Sequence, residues 1–230
     1  IQWLRDYAET RIDSRLVDER RTIPPHIVLD LGRKGLLGMR ASQELGGLAL
    51  SYSDMLRVLQ QIAAIDTTIA AFVAAHNVLG LQPVLRHGSE AQRRLLIPDL
   101  AQGRQLASFA FTEPAAGSNS SAITAKAVEN EDGVFTLNGG KRWIGTASWS
   151  GFIHVFARVV DRAGVNRGIT AFTLEQHTPG LVQGPEELTV GLRGMVQNDV
   201  ELRDARATAA NVLGEIGRGM QIAQEILQLG

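Results

Sequence analysis

Between residues 109 and 119 the chain reads Phe109-Ala110-Phe111-Thr112-Glu113-Pro114-Ala115-Ala116-Gly117-Ser118-Asn119, an alternating run that breaks into a turn and then a Gly-Ser pair. Two readings are open for these residues. One is a capped turn between two strands. The other is a strand that delivers backbone amides and the Thr112 hydroxyl to a ligand edge, followed by a loop where Gly117 permits close backbone approach and Ser118 offers a hydroxyl and an N–H to an anionic oxygen. A second unusual patch follows one hairpin later, at Asn138-Gly139-Gly140-Lys141-Arg142-Trp143-Ile144-Gly145-Thr146. A tryptophan at a strand end beside a glycine-rich turn can serve the core, or it can make a flat wall for an aromatic cofactor.

Other site chemistries find little support. The spacing of Gly140 and Gly145 imitates a phosphate loop, but no lysine follows the second glycine and Trp143 occupies the curl. Gly214, Gly217 and Gly219 carry the dinucleotide fingerprint in the wrong order, with no βαβ unit around them. The serines lack a Gly-x-Ser-x-Gly elbow. The five histidines, at 26, 76, 87, 154 and 177, include no i, i+4 pair, so no metal site is expected. His87, before Gly88, reads as a polar residue at a helix end, and His76 as a satisfied core histidine.

With 23 Lys+Arg against 24 Asp+Glu, the net charge of −1 leaves no electrostatic footprint for nucleic acid or anionic lipid. The absence of cysteine excludes a disulfide framework, thiolate ligands and a cysteine nucleophile. The most apolar stretch, 62–81, holds Asp66, Thr67, Thr68, His76 and Asn77, too polar for hydrocarbon; it reads as a buried helix pair, and no membrane insertion is expected. No basic region precedes an apolar run at the start of the chain, so no signal peptide is expected.

These groups must be carried by two kinds of structure. Before about residue 105 apolar residues recur at helical spacing: Trp3, Leu4, Tyr7, Ala8 and Ile12 form one stripe, and Ile27, Val28, Leu31 and Leu36 another. Pro24-Pro25 marks a helix start, Ser89 with Gln92 forms a capping box, and Ser51 or Ser53 caps a long helix. After 106 the period is two, in runs at 123–128, 134–137, 154–157, 168–174, 181–183 and 195–202, with Asp132-Gly133 as a hairpin signal. The expected fold is α+β: an all-helical domain over 1–105, an antiparallel β-sandwich or barrel over 106–212, and over 213–230 the start of a helical bundle. The apolar helix at 217–229 has no partner left in the sequence, which predicts that something outside this chain buries it.

The two patches resemble the acyl-CoA dehydrogenase family closely. The match is to its Thr-Glu-Pro-x-Ala-Gly-Ser-Asp signature (Thr112 to Asn119) and its Asn-Gly-x-Lys-x-Trp-Ile signature (Asn138 to Ile144), with weaker echoes along nearly the whole chain, among them Glu44-Leu45-Gly46-Gly47, His87-Gly88-Ser89-Glu90 and Gly191-Leu192-Arg193-Gly194. The resemblance implies FAD held at the β-domain. Phe109, Phe111 and Thr112 would lie along the flavin, Gly117 and Ser118 would border the pyrophosphate, and Ser118 would also meet the substrate's pantetheine arm. Trp143 would pack on the ring, with Ile144, Gly145 and Thr146 approaching N5. It further implies α,β-dehydrogenation of an acyl-CoA or acyl-carrier-protein thioester to the 2-enoyl thioester in fatty acid or polyketide metabolism. Electron-transfer flavoprotein is an implied partner, the assembly a homodimer or homotetramer, and the location cytoplasmic, or the mitochondrial matrix or peroxisome in a eukaryote. Asn119 stands for the usual Asp, and Gly145 where many relatives have Thr or Ser, so a side-chain hydroxyl toward N5 is lost unless Thr146 substitutes. The family's Glu base lies in its C-terminal bundle, so no catalytic residue is assigned here and the chain reads as the flavin-binding side of a larger enzyme. Alternatives are a flavin-dependent oxygenase or oxidase of the same fold, and a non-catalytic partner of a split assembly.

Overall fold

The computed structural model describes residues 2–131 and 133–229. Helices make up most of the chain to Ala101, apart from a loop over 34–51 that holds one 3-10 turn, Gln43–Leu45. They are α1 (Gln2–Arg11), α2 (Ser14–Glu19), α3 (Pro25–Arg33), α4 (Tyr52–Ile65), α5 (Thr67–Ala75), α6 (Gln82–His87) and α7 (Glu90–Ala101). Their starts follow from side chains that satisfy free backbone N–H groups. Asp13 caps α2, Pro25 opens α3, and Ser51 accepts from the Asp54 N–H to start α4. Asp66 both stops α4 and caps α5, accepting from the Ile69 N–H at 2.8 Å. The capping box is present: Ser89 Oγ accepts from the Gln92 N–H and Gln92 Oε1 from the Ser89 N–H. Gln92 Nε2 also donates to the Ala210 and Val212 carbonyls, tying α7 to the β-rich part.

Between α5 and α6 the helix widens into a π-helical segment, His76–Leu81. The continuous run Thr67–His87 is long and apolar enough to cross a membrane, but 67% of its most apolar window is buried within the protein, and His76 Nε2 and Asn77 hydrogen-bond inside it. His76 Nε2 lies 3.0 Å from the Leu100 carbonyl; because a carbonyl only accepts, Nε2 carries the proton. Burial lowers the pKa of His76 to about 4 and keeps it neutral. Asn77 is fully buried. Its Oδ1 accepts from the Met39 N–H at 2.9 Å, and its Nδ2 donates to the Leu36 and Val73 carbonyls at 2.8 and 2.9 Å. Asn77→Ala strands buried backbone groups of the 36–39 loop and is expected to cost about 2–3 kcal/mol; urea unfolding should show a lower midpoint at unchanged slope.

The β-rich part forms one eight-stranded mixed sheet: β1 (Ala107–Ala110), β2 (Lys126–Glu131), β3 (Val134–Gly145), β4 (Phe152–Val160), β5 (Asn166–Glu175), β6 (Leu181–Glu186), β7 (Gln197–Thr208) and β8 (Val212–Leu213). The order is β6-β7-β3-β2-β4-β5-β8, with β1 also on β4. The antiparallel expectation holds for five pairings and needs correction for two: β1 and β2 both run parallel to β4. Period-two patterning reports which face is buried, not strand direction, and the chain crosses over between these strands rather than turning back. β5 covers one edge of β4 along its length, while β1 and β2 share the other end to end. Asp132 of the expected hairpin turn lies outside the described residues; Gly133 has φ +69°.

A second correction concerns the last helix, α8 (Gly219–Leu227). Its apolar face is not left unpartnered by this chain: Ile222, Ala223 and Ile226 are at most 2% exposed, packed against β5, α6 and the π segment. Gly219 lets it sit so close, since a Cβ there would meet the Thr170 and Ala171 backbone at 2.8–2.9 Å. The sequence showed the stripe but not the groove prepared for it.

Candidate functional site

One cavity of about 490 Å³ lies between the sheet and the helices. Phe109, Phe111, Thr112, Gly117, Ser118, Trp143, Ile144, Gly145 and Thr146 all line it, so both sequence patches face the same space. Residues that the sequence reading did not single out line the walls as well: Ala75 and Leu79 from the long helical run, Met195 just before β7 and Gln197 at its start, and Leu227 of α8. Only the helical period hinted that Ala75 and Leu79 share a face, and nothing local said which face meets the sheet.

The two patches are stitched together. Lys141 Nζ donates to Glu113 Oε1 at 2.8 Å and to the Phe111 carbonyl at 3.3 Å, and the Arg142 N–H donates to the Thr112 carbonyl at 3.0 Å. Glu113 also accepts from the Thr124 N–H and hydroxyl, both at 2.7 Å, and from the Ala125 N–H at 3.1 Å. Glu113 and Lys141 side chains are 1% and 0% exposed. Burial pushes the Glu113 carboxyl up, but Lys141 and the Thr124 donors outweigh it and hold the group below its ordinary value. Burial lowers the Lys141 ammonium, against the pull of Glu113. A carboxylate with four donors, turned away from the cavity, is a structural anchor and not a base.

Strand β3 places Lys141 by simple alternation: Phe135, Leu137 and Lys141 are all buried. A bulge between Lys141 and Ile144 then shifts the register against β7. Without it Trp143 would follow Lys141 inward. With it Ile144 is buried and the Trp143 indole stands 50% exposed at the cavity rim. The cost is local: Trp143 has φ +56°, a left-handed conformation that a bulky side chain adopts only under constraint. Arg142 supplies part of that constraint, its guanidinium lying 5.0 Å from the indole centroid and its Nη2 donating to Glu187 at 2.8 Å.

Phe109, Phe111 and Phe156 form an aromatic cluster under the floor, with centroids 4.7–5.9 Å apart. Thr112 is half-buried and Ser118 exposed, and neither hydroxyl is engaged by another described residue. Thr146 differs. Its hydroxyl turns back and donates to the Gly145 carbonyl at 2.7 Å.

The walls leave room for a ligand to lie against bare backbone at two places. A Cβ on Gly117 would meet nothing within 4 Å, and one on Gly145 only Met195 Cε at 3.6 Å. Neither glycine has a positive φ, so neither packing nor backbone geometry demands glycine; the bare backbone is open to a ligand's approach. No carboxylate or imidazole among the described residues lines the cavity.

Comparison with known proteins agrees with this geometry. The model of the acyl-CoA dehydrogenase N-terminal domain matches residues 1–104, and that of the middle domain residues 108–205. The human short-chain specific acyl-CoA dehydrogenase, a mitochondrial protein, is 33% identical over 232 residues, covering 100% of this chain and 56% of the relative. The butyryl-CoA dehydrogenase structure from Megasphaera elsdenii superposes with a TM-score of 0.89 at 30% identity, over 97% of this chain and 60% of that one. A Bacillus anthracis acyl-CoA dehydrogenase complexed with FAD gives 0.83 at 30% identity, over 98% and 36%. The chain spans about half the length of the curated relatives it matches. Fold, both motifs and the domain matches lead to one conclusion: this chain belongs to the acyl-CoA dehydrogenase family.

Proposed function

We propose that this chain forms the flavin-binding side of an FAD-dependent acyl thioester dehydrogenase. The observation that carries the reading is the convergence of both motifs on one cavity whose rim is an exposed, conformationally constrained tryptophan. FAD would supply the two-electron acceptor for removal of hydrogen from the α and β carbons of the thioester. The chain's own residues would do the holding. Trp143 offers a flat face to the ring. The Thr112 hydroxyl and neighbouring N–H groups meet the polar edge, where donors stabilise negative charge. Gly117 and Ser118 admit and bind the phosphates and the pantetheine arm, and Gly145 lets the ring approach backbone.

The apolar helical wall of Ala75, Leu79 and Leu227 suits an acyl chain and excludes water from it. Abstraction of the α-proton needs a base, and no such group faces the cavity among the described residues, so we assign the base to a carboxylate outside them. Titrating FAD into the complete protein tests the reading. Saturable binding that perturbs the visible flavin spectrum is expected, and Thr112→Ala should shift that spectrum or weaken binding by about tenfold, the worth of one hydrogen bond. No flavin binding, or a variant indistinguishable from wild type, would sink the proposal.

A further inference from the structure

The long helical run changes to π geometry over His76–Leu81, beside the cavity that Ala75 and Leu79 line. π segments recur at functional sites because they offset the residues on either side from a regular helical face. Three contacts pin this one. His76 and Asn77 hold it to the helical part, through the Leu100 carbonyl and the 36–39 loop. On the other side it meets the sheet directly. A Cβ on Gly80 would lie 2.6 Å from the Ala107 carbonyl, so only glycine lets the helix backbone sit on β1.

The third contact is His154, fully buried near the start of β4. Its Nε2 lies 2.8 Å from the Gly80 carbonyl and its Nδ1 3.0 Å from Thr173 Oγ1 on β5. The carbonyl can only accept, so Nε2 carries the proton; Nδ1 then accepts from the Thr173 hydroxyl. The ring is neutral, because burial lowers its pKa to about 4. The Gly80 carbonyl thus sets the tautomer, and the Thr173 hydroxyl, able to donate or accept, adapts to it by donating to Nδ1.

We propose that His154 is a positioning residue for substrate specificity: by donating to the Gly80 carbonyl it fixes the π segment, and so where Leu79 and Ala75 stand as the apolar wall that measures the acyl group. This rests on the acyl thioester reading of the cavity. His154 itself touches no substrate. It acts through one hydrogen bond across the helix–sheet boundary.

The test compares His154→Phe, which keeps a ring but loses the donor, with His154→Gln, which returns an amide donor near the Nε2 position. Both are made in the complete, flavin-loaded protein. The first readout is amide hydrogen exchange over residues 78–84 against α7. His154→Phe should speed exchange there by about tenfold, the loss of one hydrogen bond, and leave α7 unchanged. The second is the affinity ratio among butyryl-, octanoyl- and lauroyl-CoA. His154→Phe should change it by about three- to tenfold, and His154→Gln should restore both readouts.

Uniform loss of protection across the protein would mean a merely structural role and overturn the proposal. So would an unchanged ratio, or a His154→Gln variant that behaves like His154→Phe. If the wild-type protein binds none of the three thioesters, the acyl thioester reading fails and specificity with it, whereas the exchange experiment still decides whether His154 holds the π segment.

Discussion

Lys141→Met is expected to lower folding stability by about 3–5 kcal/mol, the largest single-residue effect in the β-rich part. The ammonium is fully buried, 2.8 Å from Glu113 Oε1. Removing it leaves a carboxylate with no counter-charge in a site that water does not reach, and leaves the Phe111 carbonyl without its donor. Chemical denaturation should show the loss, and Glu113→Gln in the same background should return part of it, since a neutral amide needs no counter-ion. Equal stability of the single and double variants would defeat this account.

The same pair gives the protein a pH dependence of known sign. The Glu113 carboxyl is held below its ordinary value of 4.5, with burial opposed and outweighed by Lys141 and Thr124. A depressed carboxylate contributes stability that is fully present above its unfolded pKa and is lost as pH falls through the folded one. Acidification below about 4.5 should therefore destabilise the wild-type protein more than the double variant. The consequence reaches the cavity, because Glu113 and Lys141 join the Thr112 turn to the strand that carries Trp143.

Trp143→Gly is expected to weaken flavin binding by about tenfold to a hundredfold while leaving folding stability nearly unchanged. One face of an aromatic side chain offers on the order of 100 Å² of contact, worth about 1.5–3 kcal/mol when covered by a planar ligand. The two effects separate because Trp143 is half exposed and holds φ +56°. Glycine adopts that backbone freely and recovers about 1 kcal/mol of strain, against the loss of about 0.5–1 kcal/mol from the Arg142 guanidinium over the indole. Trp143→Phe, which retains a ring, should bind within a few fold of wild type. Fluorescence titration with FAD reads the first quantity and urea unfolding the second. A Trp143→Gly variant with wild-type affinity would remove the indole from the site.

Much of the local structure was legible because it depends on neighbours in sequence. Ser89 with Gln92, Pro25 and Ser51 act within one helical turn, and those boundaries appear where their chemistry puts them. The cavity-lining role of Thr112 and Gly117 could be suspected from residue types alone, since a Thr and a bare Gly beside a turn suit a polar ligand edge. For Trp143 the residue types left core and cofactor wall both open. Alternation along β3 would bury it, and only the bulge after Lys141, a matter of pairing with β7, turns it out.

By itself, then, the sequence determined the order of helical and β-rich parts, the capped boundaries and the two motifs, each set by contacts a few residues long. The tertiary structure alone decided the parallel pairing of β1 and β2 with β4, the burial of α8 within this chain, the Glu113–Lys141 anchor and the His154–Gly80 contact. These join residues from about 30 to more than 70 positions apart, and such partners are chosen by which surfaces can close on each other without leaving a buried polar group unsatisfied.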